Sequence, residues 1–228
     1  MIETWRRAPK PLKLTLSVLA SLLIIDAVFI SLHILQIILT DTGYRGFLLH
    51  PRLSLERDIG YSEGYEYLKT VAMVAMLLAL YIYQRKLAFL SWSLVFAFLF
   101  LDNALRLHED IGALIAANLQ MRNTFGLRLQ DFGELIVWAL SGAVLLPLVL
   151  LSYRDRTTRP FTRTLLALCC LLVLFGAGVD MLHVLLIERA DNFLATLEDG
   201  GELLTLSLMV TYIFWTGAKL WGERFPPT

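Results

Sequence analysis

Acidic residues and histidines fall where a lipid-crossing chain tolerates them least. Asp26, His33, Asp102, Asp180 and His183 each lie inside a long apolar run, and Glu66, Glu134 and Glu202 lie near the start of others. A charged side chain at the centre of a bilayer costs roughly 2.5–3.5 kcal/mol on insertion scales, so such groups turn inward. Three fates are open to them. They pair with Arg106 and Arg128 in structural salt bridges, they line an aqueous cavity that carries protons or ions, or they bind a metal.

Helical spacing brings some of them together. Asp26 and His33 are seven residues apart on one stripe, Asp180 and His183 are three apart, and Asp131–Glu134 and Glu198–Glu202 each share a face. Asp102, Arg106 and Glu109 make another stripe. At about 3.6 residues per turn, His108 points about 120° away from Asp102, so one unbroken helix cannot aim both at one point.

Histidine with carboxylates is a borderline-to-hard donor set, suited to a divalent Zn, Fe or Mn rather than Cu(I). The expected ligands are His33, His183, Asp180, Glu134 and Glu202, with His108 and Glu66 next. Asp26, Asp102, Arg106, Asp131 and Asp199 are the expected outer partners or proton carriers. Asp180-x-x-His183 has the i, i+3 geometry of helical di-metal sites, with a shorter acid. If the chain is an enzyme, a metal-bound water attacking a lipid or small periplasmic substrate is the expected chemistry. A small proton- or ion-coupled transporter is the second reading, favoured by Asp26 near mid-membrane. A structural or assembly subunit with paired charges is the third.

Two registers recur. Glu66, Glu134 and Glu202 are spaced by 68 and 68, each in an acid-x-x-Glu pattern before an apolar run. His33, His108 and His183 are spaced by 75 and 75, each after a leucine. The pattern predicts three copies of a helical hairpin in one orientation, at 13–84, 87–152 and 162–221, related by an axis along the membrane normal.

The elements that must position these residues are apolar helices. The 228 residues are 57% hydrophobic and 18% charged, with mean hydropathy +0.64. Soluble domains run at about 45–50% apolar and about 25% charged. The composition excludes disorder and a basic nucleic-acid-binding surface, and two adjacent cysteines, Cys169 and Cys170, exclude a disulfide scaffold. Six runs reach the ~20 residues a crossing needs: 13–39, 64–84, 87–110, 129–152, 162–188 and 197–221. The chain reads as one all-α integral membrane domain over 1–228, its first span a retained signal anchor.

The 20 basic and 20 acidic residues cancel in sum but not in place. Arg6, Arg7, Lys10, Lys13, Arg85, Lys86, Arg154, Arg156, Arg159, Arg163, Lys219 and Arg224 flank one side, which is 12 of the 20 cations. Only Glu3, Asp155 and Glu223 are acidic there. The positive-inside rule then places both termini in the cytoplasm of a cell (inner) membrane, with Trp5, Trp92, Trp215 and Trp221 as interfacial anchors. The polar layer falls roughly 7–12 Å below the opposite surface, at ~1.5 Å per residue.

Local features complete the reading. The first outer loop, 40–62, is aromatic and lies in the interface or folds over a cavity. A short surface helix is expected around 112–117, a turn at Asn123–Gly126, a capping box at Thr196–Asp199, and close helix packing at Gly176-Ala177-Gly178.

Overall fold

The computed structural model describes residues 10–57, 59–119 and 129–224; the side chains of 183–191 and 223–224 lie outside that description, as does the turn expected at Asn123–Gly126. Regular structure among these residues is helical throughout. Helix α1 spans Lys10–Asp41, and two single 3-10 turns follow at Phe47–Leu49 and Pro51–Leu53. Then come α2 (Tyr61–Gln84), α3 (Leu87–Ala104), α4 (Leu107–Asn118) and α5 (Leu129–Ser152). Helix α6 (Arg159–Val173) passes through a π turn (Leu174–Val179) into α7 (Asp180–Arg224).

Six helical stretches are long and apolar enough to cross a membrane: α1, α2, α3, α5, Arg159–Leu182 and Asn192–Gly222. The expected fourth span coincides with α5, and the first two agree within three residues at each end. Large apolar side chains on these helices point outward, among them Ile24, Val28, Ile38, Ile82, Leu140, Val144 and Leu150. In water that surface would be untenable; against lipid tails it carries no penalty.

Two differences from the expected elements have local causes. The third span stops at Ala104, because Arg106 adopts a left-handed backbone (φ 52°) and a new helix, α4, begins at Leu107. The residues expected to cap a helix at Thr196–Asp199 lie inside α7 instead, where the Thr196 hydroxyl donates back to the Asn192 carbonyl at 2.6 Å.

The stretch that ends at Leu182 and the one that begins at Asn192 lie side by side. Phe161 of α6 stacks on Tyr212 of α7 with ring centroids 5.6 Å apart, and Gly176 faces Glu202. Helices α2 and α3 form a tight antiparallel pair around Arg85, which closes α2 in a left-handed conformation with its N–H on the Tyr81 carbonyl at 2.7 Å. Helix α3 packs on α5, α6 on α7, and α7 on α2. These five spans form a ring. Helix α1 lies outside the ring, chiefly along α7 rather than along α2.

The apolar core sits toward one end of the ring, where Met73, Leu77, Phe89, Trp92, Phe96, Leu165, Met209 and Ile213 interlock. Phe89 meets Phe161 edge to face at 5.2 Å. Within lipid the helices associate through such packing and through buried polar contacts, since lipid tails are as apolar as leucine. At the other end α4 lies against the start of α5. Their backbones touch at Gly112 and Gly133, and a Cβ on Gly133 would strike the Gly112 carbonyl.

Candidate functional site

The ring encloses a chamber of about 940 Å³. One end is polar and the other is not. Glu66 comes from α2, Asp102 from α3, His108 and Glu109 from α4, Gln130 and Glu134 from α5, Asp180, Glu198, Asp199 and Glu202 from α7, and Arg106 from the α3–α4 break. Deeper in, Trp92, Val95, Phe96 and Leu99 of α3 face Leu145, Leu146 and Val149 of α5 and Leu166, Cys169 and Leu172 of α6. From Trp92 to Asn103 the wall runs about 16 Å along α3, at about 1.5 Å per residue.

The helix break at Arg106 assembles one polar pair. It turns α4 so that His108 Nδ1 sits 3.0 Å from Asp102 Oδ2. The 120° separation that a continuous helix imposes is thereby removed. The His108 ring also meets Trp138 edge to face at 5.6 Å. Asp102 Oδ1 and Trp138 Nε1 are both buried with no hydrogen-bond partner among the described residues. Arg106 itself pairs with Glu109.

A second group gathers on α2 and α7. Glu66 lies within electrostatic reach of Glu202 and Asp199, and Glu202 within reach of Asp180. The π turn carries Gly176 against Glu202, and any side chain at 176 would strike that carboxylate. π turns inside helices recur at functional sites. Glu134 accepts from Gln130 Nε2 at 2.7 Å and lies within reach of His108. Among the described residues, neither the Glu66 nor the Glu202 carboxylate has a hydrogen bond or ion pair at contact distance.

Other expected residues lie elsewhere. Asp26 is fully buried between α1, α2 and α7, outside the chamber wall. Its Oδ1 is 2.6 Å from Lys69 Nζ, and Ser207 donates to its Oδ2 at 2.6 Å. Lys69 also donates to the Leu203 carbonyl at 2.9 Å and lies 4.2 Å from the centre of the Tyr65 ring. Lys69 escaped the sequence reading. Its signal is a lone lysine in one span matched to a lone acid in another.

His33 anchors the loop between α1 and α2. Its Nδ1 lies 3.3 Å from Ser54 Oγ and 3.4 Å from the Leu55 N–H, and its Nε2 lies 3.4 Å from Glu56. Gln36, one turn on, donates to the Leu48 and His50 carbonyls at 2.7 and 3.1 Å. The loop thus folds against α1 and delivers Glu56 to the chamber wall. Asp131 is buried near the α4–α5 contact, off the chamber wall. The side chain of His183 lies outside the described residues. Among those described, no three His, Cys, Asp or Glu side chains converge as a metal site requires.

Residues 67–216 match the model of a family described as Domain of unknown function (DUF8692). The chain belongs to this family. The match takes in α2 from Tyr67 through most of α7, and so covers nearly every residue of the chamber wall, with Glu56 and Glu66 just outside it. No curated protein and no solved structure matches the chain.

Proposed function

We infer that the chamber binds an amphiphile with a cationic head, entering from the outer side of the inner membrane. The observation that carries this reading is the continuity of a carboxylate-rich mouth with an apolar shaft. Nine carboxylates line the chamber against one arginine and one histidine, so the mouth attracts positive charge. The shaft accepts a hydrocarbon tail, and the volume is that of a small-molecule site, about 300–1,000 Å³. A bare ion needs a tight polar cage and gains nothing from Trp92, Phe96 and Leu166. A transport path needs polar groups continuing to the far end, where the wall is Leu145, Val149, Leu166 and Cys169.

Glu66, Glu134 and Glu202, the equally spaced acids, all line this one chamber. Arg85, Lys86, Arg154 and Arg156 lie at the opposite helix ends, which supports cytoplasmic termini.

Titration calorimetry with dodecyltrimethylammonium in a neutral detergent tests the reading. Glu66→Gln and Glu202→Gln each weaken binding about tenfold or more, the worth of roughly 1.5–3 kcal/mol for a contact to a charged group. Unchanged affinity in both variants contradicts it. A divalent Zn, Fe or Mn in the same layer is the second reading; it rests only on the electrostatic reach among Glu66, Asp199 and Glu202, whose carboxylates do not converge as ligands among the described residues. Elemental analysis separates the two: stoichiometric metal lost in Glu202→Ala supports the metal.

A further inference from the structure

We propose that the Asp102–His108 pair makes the chamber a hydrolytic site for an ester bond in the bound amphiphile, with water as the nucleophile. The proposal rests on the chamber reading above and names the chemistry performed there.

Four observations point to it. Asp102 Oδ2 at 3.0 Å from Nδ1 fixes the tautomer in which Nδ1 carries the proton and Nε2 is the basic atom. Nε2 makes no hydrogen bond among the described residues, and His108 lines the chamber. The pair exists only because the chain breaks at Arg106 in a left-handed backbone, and such strain persists where the surrounding structure enforces it, often at functional sites. Finally, two buried polar atoms beside the ring, Asp102 Oδ1 and Trp138 Nε1, lack partners. Native interiors leave few such atoms, and an unpartnered polar atom is consistent with a catalytic role.

The chemistry balances without metal or redox partner. A water bound at His108 Nε2 attacks the ester carbonyl carbon. Its proton passes to Nε2 as the new C–O bond forms, and the carbonyl electron pair moves onto oxygen, where Trp138 Nε1–H donates. The adduct then expels the alcohol oxygen, which takes the proton back from Nε2. Ester and water become acid and alcohol, and His108 is restored. Asp102 is a positioning residue: it holds the imidazole and stabilises the cation formed in the step. Glu134 lies within electrostatic reach of the ring, and Arg106 and Glu109, paired with each other, flank His108 in the chain.

The test uses the full chain in dodecyl maltoside, lauroylcholine as the ester and dodecyltrimethylammonium as its uncleavable counterpart. The wild type binds both and releases choline. His108→Gln lowers kcat at least about 100-fold, the general-base range. Asp102→Asn also lowers kcat, and in His108→Gln KM and dodecyltrimethylammonium affinity hold. A merely structural pair would move affinity and thermal stability together instead. Binding without hydrolysis by the wild type overturns this proposal and leaves the chamber reading standing. Hydrolysis undiminished in His108→Gln also overturns it. Absence of both binding and hydrolysis overturns the two together.

Discussion

Asp26 and Lys69 show what a single buried charge requires. Each is almost wholly enclosed, and each satisfies the other at 2.6 Å while Ser207 and the Leu203 carbonyl complete the shell. Removing one partner strands the other in a low-dielectric interior at a cost of about 3–5 kcal/mol. Asp26→Ala or Lys69→Ala is therefore expected to lower the midpoint of thermal unfolding in detergent sharply. The double replacement Asp26→Leu with Lys69→Met removes both charges and should recover most of that loss. Equal damage from the single and double variants would contradict the pairing. The acid was legible in the sequence as a buried charge, but its partner was not. The two residues are 43 positions apart on different helices, and periodicity within a helix says nothing about the register between helices.

At the scale of elements, the α4–α5 crossing rests on glycine. Gly133→Ala would drive a methyl into the Gly112 carbonyl, and overpacking of this kind typically costs 1–3 kcal/mol. Gly142, on the same helix with nothing near its Cβ position, should accept alanine neutrally or with up to about 1 kcal/mol of gain from helix propensity. Unfolding curves of the two variants check the contrast. The loop between α5 and α6 offers a pH test. The Thr157 N–H at 2.8 Å, then the Thr157 hydroxyl and Lys86, hold the Asp155 carboxyl below its usual range. The folded-state value lies below the unfolded one. Its contribution is present above the unfolded value and is lost as pH falls through the folded one. Melting of wild type and Asp155→Asn compared across acidic pH should converge at the low end, with a gap that shrinks in high salt because the pair is exposed. Helix periodicity placed α5 correctly and anticipated a surface helix near 112–117. It carried the third span to residue 110, because nothing in the apolar pattern marks a left-handed arginine at 106. The thread of acids and histidines at equal spacing was equally visible, yet only Glu66, Glu134, Glu202 and His108 of those six are seen to line the chamber.

The whole molecule joins an acidic mouth to an apolar shaft within a five-helix ring, and its account depends on that continuity. Composition and hydropathy announced six helices long and apolar enough to cross a membrane and an uneven distribution of charge. They could not announce a cavity, which arises from how five helices splay around Gly176, Glu202 and the break at Arg106. Nor could they place α1 against α7, a contact between the two ends of the described chain. The most direct measurement is a crystallographic map of the protein soaked with 12-bromododecyltrimethylammonium, read at the bromine absorption edge. The account predicts an anomalous bromine peak among Trp92, Phe96 and Leu166, with the ammonium group beside Glu66 and Glu202. A bromine peak confined to the lipid-facing surface, with the chamber free of ligand, would contradict it.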